Sequence, residues 1–450
     1  MEKEWVSVIL ERGKCYWGKC YFCGWGKIHK NQSIENLMKK FIKALEKGKG
    51  KYGVKIFCSG SFLDSKQFPL DFVKWCIEKA RKCGFKEIII ESRPEFIKDE
   101  ILEKIKVEGI KITVAIGLEI ADNEILLKYY NKGFTVEDYM KAVEKLRKYG
   151  FGVRTYVLVN GHPFLYQNKE LQKELLDKTM KLLENISDSI VIINAYPHKY
   201  SKLLEDWCKC IWKPLDEKEF MNLVKDYVNH PKVEIDFNNF NFIPRFPKEM
   251  QEFIKGAKIE NIIHPHFKVW QDYLVRFYTP PKNKEYCLFI PCSYKKPYYR
   301  SKTFKAIVKT LSKYPFFEKL HFVVVSNPGV IPREFFNYYP FNSYDWPEWE
   351  ETEEVMKFYI KVTKERVKNY VLAHKDHYKH YFAYFHLHSE TLEAIKEAFD
   401  EIGMQDKLTI ILDEDTYKKI VEEIGKKSAS IVRHKLALRR LEEVLTKFLD

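Results

Sequence analysis

The chain predicts an α/β fold: a partial parallel (β/α)6 barrel followed by a smaller, doubly wound α/β domain. Three observations carry this. Short β-branched runs alternate with longer amphipathic segments through the first half. The alternation breaks in a Pro- and aromatic-rich stretch and then resumes. A polar or small-residue motif follows each early strand candidate, at the end where parallel barrels collect their chemistry. With 450 residues, 45% of them hydrophobic, two cores are within reach. The expected domains are 1–240 and 285–450, with 241–284 as a linker or extension.

In order, the strand candidates of the first half are VSVIL (6–10), VKIFC (54–58), EIII (87–90), KITVAIG (111–117), GVRTYVLV (152–159) and SIVIIN (189–194). Amphipathic segments lie between them, such as 69–84 and 135–150, the latter opened by a Thr cap and closed by a Gly. Three cysteines follow the first strand; SGSFLD, ESRPE, LEIADNE, NGHP and NAYPHK follow the next five. NFIPRFP and FYTPPKNKEY mark the break. Beyond it, YCLFI (286–290), HFVVVS (321–326), YFAYFH (381–386) and LTIIL (408–412) read as strands, and 428–450 as a packed amphipathic terminal helix.

Lys and Arg number 77 against 63 Asp and Glu, a net charge of +14 that suits a polyanionic partner. Charges interrupt the amino terminus where a signal peptide needs an apolar run, and no segment approaches the roughly 20 apolar residues of a membrane span. The expectation is therefore cytoplasmic, with no membrane partner. The ten cysteines then read as thiols, ligands or nucleophiles, not as a disulfide framework.

Cys15, Cys20 and Cys23 form CxxxxCxxC within CYWGKCYFCGWG, with only His29 near in sequence as a fourth ligand. Structural zinc normally closes its tetrahedron with four protein ligands. A three-cysteine iron–sulfur cluster leaves one iron open to a small chelating substrate and supplies an electron. Spacing alone leaves zinc and incidental clustering open beside it.

The cysteines after a first strand, Phe22 before the last of them and the strand-end motifs resemble the radical S-adenosylmethionine (radical SAM) superfamily. The first gap holds one residue more than the usual CxxxCxxC. The resemblance implies a radical SAM barrel, a [4Fe-4S] cluster on Cys15, Cys20 and Cys23, and SAM as cofactor. FCSGSFLD, ESRPEFI and VAIGLEIADNEILLKYYNKGFTVEDY are similar to the RaSEA-type radical enzymes of the archaeosine pathway, over residues 1 to about 200. By that likeness Ser59, Gly60 and Ser61 form the loop at the SAM amino group. Glu91 and Arg93 reach its ribose and methionyl parts, Glu119 adds a carboxylate, and Phe22 with Gly24 supports the adenine. Elementary chemistry agrees, because a sulfonium amino acid needs an acceptor for its ammonium, such as Glu119, and a cation for its carboxylate, such as Arg93 or Arg154. The alternative for Arg154 is an ordinary salt bridge.

PCSYKKPY (291–298) sets Cys292 after a strand beside Lys295 and Lys296, an electropositive setting that favours thiolate, although a lone cysteine there also suits a packed core. The stretch resembles the catalytic core of the ArcS-type archaeosine synthases, PCSxxKPYSxSxSH. Pro291, Cys292, Ser293, Lys296, Pro297, Tyr298 and Ser301 match, Thr303 is close, and Tyr299 and Phe304 stand where Ser and His are usual. VVVSNPGVIPREFFNYYPFNSYD extends the likeness through Pro332, Arg333, Glu334, Tyr344 and Asp345. It implies catalytic roles for Cys292, Ser293, Lys296 and Asp345.

ArcS joins lysine to the nitrile of a deazaguanine base in tRNA, and RaSEA cleaves the adduct by a radical step. The implied function is thus radical SAM modification of a 7-deazaguanine base in tRNA, with lysine as co-substrate and an electron donor. The Phe304 departure puts transferase activity in question. The alternatives are a radical SAM tRNA methylthiotransferase or alkyltransferase with a substrate-reading second domain, and a non-catalytic zinc RNA-binding protein. RNA contact is expected from the basic surface and from Trp270, Tyr298 and Tyr299. Cys208 and Cys210 lack evident partner ligands, and His386 and His388 read as loop histidines near the second site.

Overall fold

The structure, a computed structural model, describes residues 4–425 and 428–449. It divides after Phe242 into two compact units.

The first unit holds β1 (Trp5–Ile9), β2 (Gly53–Phe57), β3 (Glu87–Glu91), β4 (Lys111–Glu119), β5 (Gly152–Val159), β6 (Ser189–Asn194) and β7 (Val233–Asp236). They form one seven-stranded sheet in sequence order, with every neighbouring pair parallel. Strands covered on both faces need continuous apolar runs, and Ile88, Ile89 and Ile90 of β3 are all buried. Covering helices bury one stripe each: in Ile34–Lys47 it is Leu37, Phe41, Ala44 and Leu45. The helix Val136–Lys148 starts at a reciprocal capping box between Thr135 and Asp138.

The sheet curls. Lys55 Nζ on β2 lies 3.6 Å from Glu234 Oε2 on β7, whereas five strand spacings in a flat sheet would separate them by about 24 Å. Tyr156 on β5 also reaches across to Glu91 on β3, at 3.0 Å. This is the partial barrel expected, with a seventh strand beyond the anticipated six.

The second unit contains β8 (Ile254–Lys255), β9 (Tyr286–Pro291), β10 (Leu320–Ser326), β11 (Gly329–Pro332), β12 (Tyr344–Asp345), β13 (His380–Ala383) and β14 (Leu408–Ile410). Five form a sheet of order β11-β10-β9-β13-β14, parallel except for the antiparallel edge β11, and β12 pairs with β8. The chain leaves β9 toward β10 on one side and later returns to β13 on the other. That reversal is the topological switch point at which open α/β sheets bind ligands.

The stretch expected as an extension enters this unit from Ile243 onward. Its helix Pro265–Arg276 buries Phe267, Val269, Trp270, Tyr273 and Leu274. Two of the three aromatics expected to face RNA are therefore core residues: Trp270 is 0% exposed and Tyr298 1%. A large apolar ring gains more from burial than from display, and only Tyr299 stands at the surface. The terminal segment forms helices Ser428–Ile431 and Lys435–Leu449, the latter burying Ala437, Leu441 and Leu445; Asp450 lies outside the described residues. Among the described residues no helix is long and apolar enough to cross a membrane.

Candidate active site

The loop after β1 carries three free thiols, with Cys20 buried and Cys15 and Cys23 half-buried. They sense one another: Cys23 raises the pKa of Cys20, and Cys15 that of Cys23. Burial is the larger cause and pushes Cys20 up to about 11, with Lys132 the strongest opposing influence. Cys23 accepts backbone N–H groups from Gly26 and Trp25. Three clustered sulfurs, backbone donors to one of them and a nearby ammonium fit an anionic thiolate-bound cluster.

Gln67 ties this loop to the segment after β2. Its Nε2 donates to Arg12 O at 3.0 Å and Ser59 O at 3.2 Å, and its Oε1 accepts Ser61 N–H at 3.1 Å. Gly60 sits between, at φ 141°, where a Cβ would lie 2.3 Å from Gln67 Oε1 and 3.1 Å from Cys15 Cα. Ser61 Oγ accepts Arg93 N–H at 3.0 Å, and Ser59 Oγ donates to Glu11 at 3.4 Å. Gly24 packs flat on His198, leaving a Cβ only 1.8 Å from the ring Nδ1. Phe22 meets Tyr130 edge-on at 5.2 Å. The structure thus joins the predicted cysteine and serine–glycine loops through a glutamine that no sequence pattern singles out.

A second clamp comes from the segment after β4. Trp17 Nε1 donates to Asn131 O at 2.6 Å, Asn131 Nδ2 to Lys19 O at 3.0 Å, and Tyr21 N–H to Tyr130 O at 2.9 Å. This delivers Lys132, which sequence reasoning missed. Its Nζ pairs with Glu119 Oε1 at 2.5 Å, and both side chains are buried. Burial opposes the lysine's charge, but Glu119 and then Cys20 outweigh it, so its pKa is raised. Glu119 holds this position with φ 71°, just where the β4–β5 register shifts after Gly117. A left-handed non-glycine residue costs about 1–2 kcal/mol, concentrated here on the residue that presents the carboxylate. Lys132 Nζ also lies 5.5 Å from the Phe22 ring centre. Arg93 donates to Glu95 Oε1 at 2.6 Å and Lys132 O at 2.9 Å, and its guanidinium lies 5.1 Å from the Phe134 ring centre.

The remaining predicted residues belong to the barrel interior. Glu91 accepts Cys58 N–H at 2.8 Å and Tyr156 O–H at 3.0 Å, and burial raises its pKa to about 7. Burial, then Glu91 and Cys15, hold the Cys58 thiol well above its ordinary value. Arg154 pairs with Glu234 at 2.5 Å and donates to Ser189 at 3.2 Å, the ion-pair alternative raised for it.

In the second unit Cys292 leaves β9 at the switch point. Water reaches it, yet crowding around the thiol raises its pKa, against the lowering effects of Ser326 and Lys296. Lys296 Nζ stands 4.0 Å from the Tyr344 ring centre. Burial lowers the lysine's pKa, opposed by Cys292 and Asp345. Cys292, Lys296 and Asp345 are thus brought together around Tyr344. Ser293 turns into its own loop, donating to Lys295 O at 3.4 Å. Phe304, at the signature's histidine position, is buried against Phe322 and Phe336. His386 and His388 line a separate cavity of about 600 Å³ with Glu414, Tyr417 and Lys418. Cys208 is half-buried and Cys210 exposed.

Among the described residues, only Glu252, His264 and His266 bring three single-ion ligand atoms within 4.8 Å of one another. Their hydrogen bonds oppose a metal: His264 Nδ1 accepts His266 N–H at 3.2 Å, so Nε2 keeps its proton and donates to Glu252 at 2.9 Å. Cys15, Cys20 and Cys23 fall outside that grouping.

Residues 14–177 match the radical SAM superfamily, and residues 267–437 match DUF5591, a domain of unknown function. A similar protein is an uncharacterized one from Methanocaldococcus jannaschii, 32% identical over 209 residues, 44% of this chain and 57% of that one. Archaeosine synthase subunit beta of Thermococcus kodakarensis is 34% identical over 166 residues, 34% of this chain and 51% of that one. Archaeosine synthase subunit alpha of Thermoplasma acidophilum is 34% identical over 108 residues, 23% of this chain and 21% of that one. The chain thus spans about half the length of the first two of these relatives. The superfamily uses a [4Fe-4S] cluster and SAM, which sets the zinc alternative aside. The clustered thiols in a curled parallel sheet agree with the superfamily match: residues 14–177 are a radical SAM domain, and a DUF5591 domain follows over residues 267–437.

Proposed function

We propose that this enzyme modifies a 7-deazaguanine base of tRNA in archaeosine-type biosynthesis. In this reading the second unit forms a lysine adduct and the first cleaves it by a radical step. What carries it is that a single chain is similar both to a protein named archaeosine synthase subunit alpha and to one named subunit beta.

In the first unit Cys15, Cys20 and Cys23 would hold the cluster, and the bound cluster with SAM supplies a carbon radical that takes a hydrogen atom from substrate. The chain's own residues then bind and orient. The buried Glu119–Lys132 pair offers one anionic acceptor and one cationic donor, the complement of an α-amino acid zwitterion. Separating the pair to grip that zwitterion exchanges one ion pair for two. Glu91, raised to about 7, holds or releases a proton near neutrality inside the barrel. Tyr156 and the Cys58 N–H fix both of its oxygens for that task.

In the second unit Cys292 is the nucleophile, with Lys296 the cation that gives a proton to the substrate nitrogen and Asp345 holding charge at Lys296. Lysine is the co-substrate, and a one-electron donor serves the cluster.

Anaerobically reconstituted enzyme given lysine-adducted tRNA, SAM and a reductant should yield deoxyadenosine and an amidine-bearing base by nucleoside mass spectrometry. No deoxyadenosine would remove the radical step. A base heavier by a methylthio or alkyl group would reassign the reaction to that class.

A further inference from the structure

Cys292 and Ser326 end neighbouring parallel strands. Val325 stands opposite Pro291 in the β9–β10 register, which puts Ser326 beside Cys292. Ser326 Oγ lies 3.0 Å from Tyr344 Oη, and Tyr344 Oη is hydrogen-bonded in turn to Tyr298 Oη. Ser326, Tyr344 and Tyr298 are all buried.

The direction of this chain follows from counting protons. A hydroxyl has one to donate. Among the described residues Tyr298 Oη meets no polar atom other than Tyr344 Oη, so its proton goes there. Tyr344 then spends its own on Ser326, which leaves the Ser326 proton for the Cys292 sulfur beside it on the neighbouring strand. Three hydroxyls are thus linked in series, the last of them next to the sulfur. A cysteine serving only as packing needs no donor, since an S–H is itself a weak donor and a poor acceptor. Donors already in place around an atom are the arrangement that stabilises negative charge forming on it.

The charged and titratable groups facing the sulfur are Lys296 and Glu348, with the Tyr298, Tyr344 and Tyr359 hydroxyls. Asp345 faces Lys296. Burial and Glu348 oppose a sulfur anion, and Ser326 and Lys296 favour it.

We propose that Ser326, polarised by Tyr344 and Tyr298, is a positioning residue that prepares Cys292 for covalent attack on the electrophilic carbon of a carbon–nitrogen multiple bond. The thiol proton leaves to the water that reaches Cys292, so sulfur keeps its electron pair beside the Lys296 ammonium. That pair forms the C–S bond, the π pair moves to nitrogen, and Lys296 gives that nitrogen a proton, which it recovers from water. The substrate class rests on the function proposed above, whereas the readiness of the sulfur does not.

The test is alkylation of the full-length protein with iodoacetamide from neutral to alkaline pH, read peptide by peptide by mass spectrometry. Exposed Cys83 in the other unit serves as the reference thiol in the same sample. Ser326→Ala should slow Cys292 alkylation at neutral pH by about tenfold, the effect of moving its midpoint up by about one unit. Ser326→Thr should restore it, and Tyr298→Phe, which removes only the far hydroxyl, should shift it the same way by less. Cys83 should keep one profile throughout. Cys292 profiles that coincide in the wild type, Ser326→Ala and Tyr298→Phe would overturn the proposal. Because no tRNA, SAM or cluster enters this measurement, failure of the radical step leaves it standing, and its own failure leaves the radical step untouched.

Discussion

At the scale of single residues, the site is built from charges that burial would otherwise forbid. Lys132 remains an ammonium because Glu119 lies 2.5 Å away, and Glu119 keeps its place at the cost of a left-handed backbone. Lys132→Met should strand a buried carboxylate and destabilise the protein by about 3–5 kcal/mol in denaturant titration. Adding Glu119→Gln should recover most of that loss but not SAM affinity, measured calorimetrically; recovery of both would show that the pair serves packing alone. Glu91 gives a second prediction, with a definite sign. Its folded pKa of about 7 lies above the ordinary 4.5, so between those values the native state binds more protons than the unfolded one. Stability is therefore full below pH 4.5 and is lost as pH rises toward 7, by about 3 kcal/mol for the whole interval. Urea unfolding of Glu91→Gln across that range should have a visibly flatter slope than the wild type.

At the scale of elements, strands with strong apolar signals were readable from sequence. Those for 152–159 and 189–194 coincide with β5 and β6, and the others agree with their strands to within a few residues. β7 escaped because VEID is short, alternates charge with apolar residues and keeps neither face fully buried. β11 escaped because NPG reads as a loop, whereas only Asn327 and Pro328 form the turn between antiparallel strands, Ser326 pairing with Gly329. The same logic separates the site residues. Cysteines and strand-end glycines announce themselves by type and spacing. Lys132 and Gln67 act through the loops they join, and no local pattern marks them. Gly60 shows how tightly those loops are fitted. Gly60→Ala should force Gln67 and the Cys15 backbone apart, since a Cβ there lies 2.3 Å and 3.1 Å from them. Iron bound after anaerobic reconstitution and the thiolate-to-iron absorbance should both fall well below the wild-type values, with Gly150→Ala, whose Cβ would meet nothing within 4 Å, as the positive-φ control.

At the scale of the whole molecule, each unit has its own cysteine setting. The first gathers thiols, a buried ion pair and a titrating carboxyl inside a curled sheet; the second sets one cysteine at the switch point of a five-stranded one. Under the proposed function, a chain with a net charge of +14 should bind tRNA chiefly through phosphates, because two of the aromatics best suited by size to stack on bases, Trp270 and Tyr298, are core residues. The consequence is quantitative. The logarithm of tRNA affinity should fall steeply and linearly with the logarithm of salt concentration, each phosphate contact contributing about 0.7–0.9 to the slope. Tyr299→Ala, the exposed aromatic of the second unit's cysteine loop, should weaken binding by about 1–3 kcal/mol without changing that slope if its ring stacks on a base. A shallow salt dependence together with full affinity in Tyr299→Ala would mean that the basic surface does not meet nucleic acid, and would turn the substrate toward a free base or nucleoside.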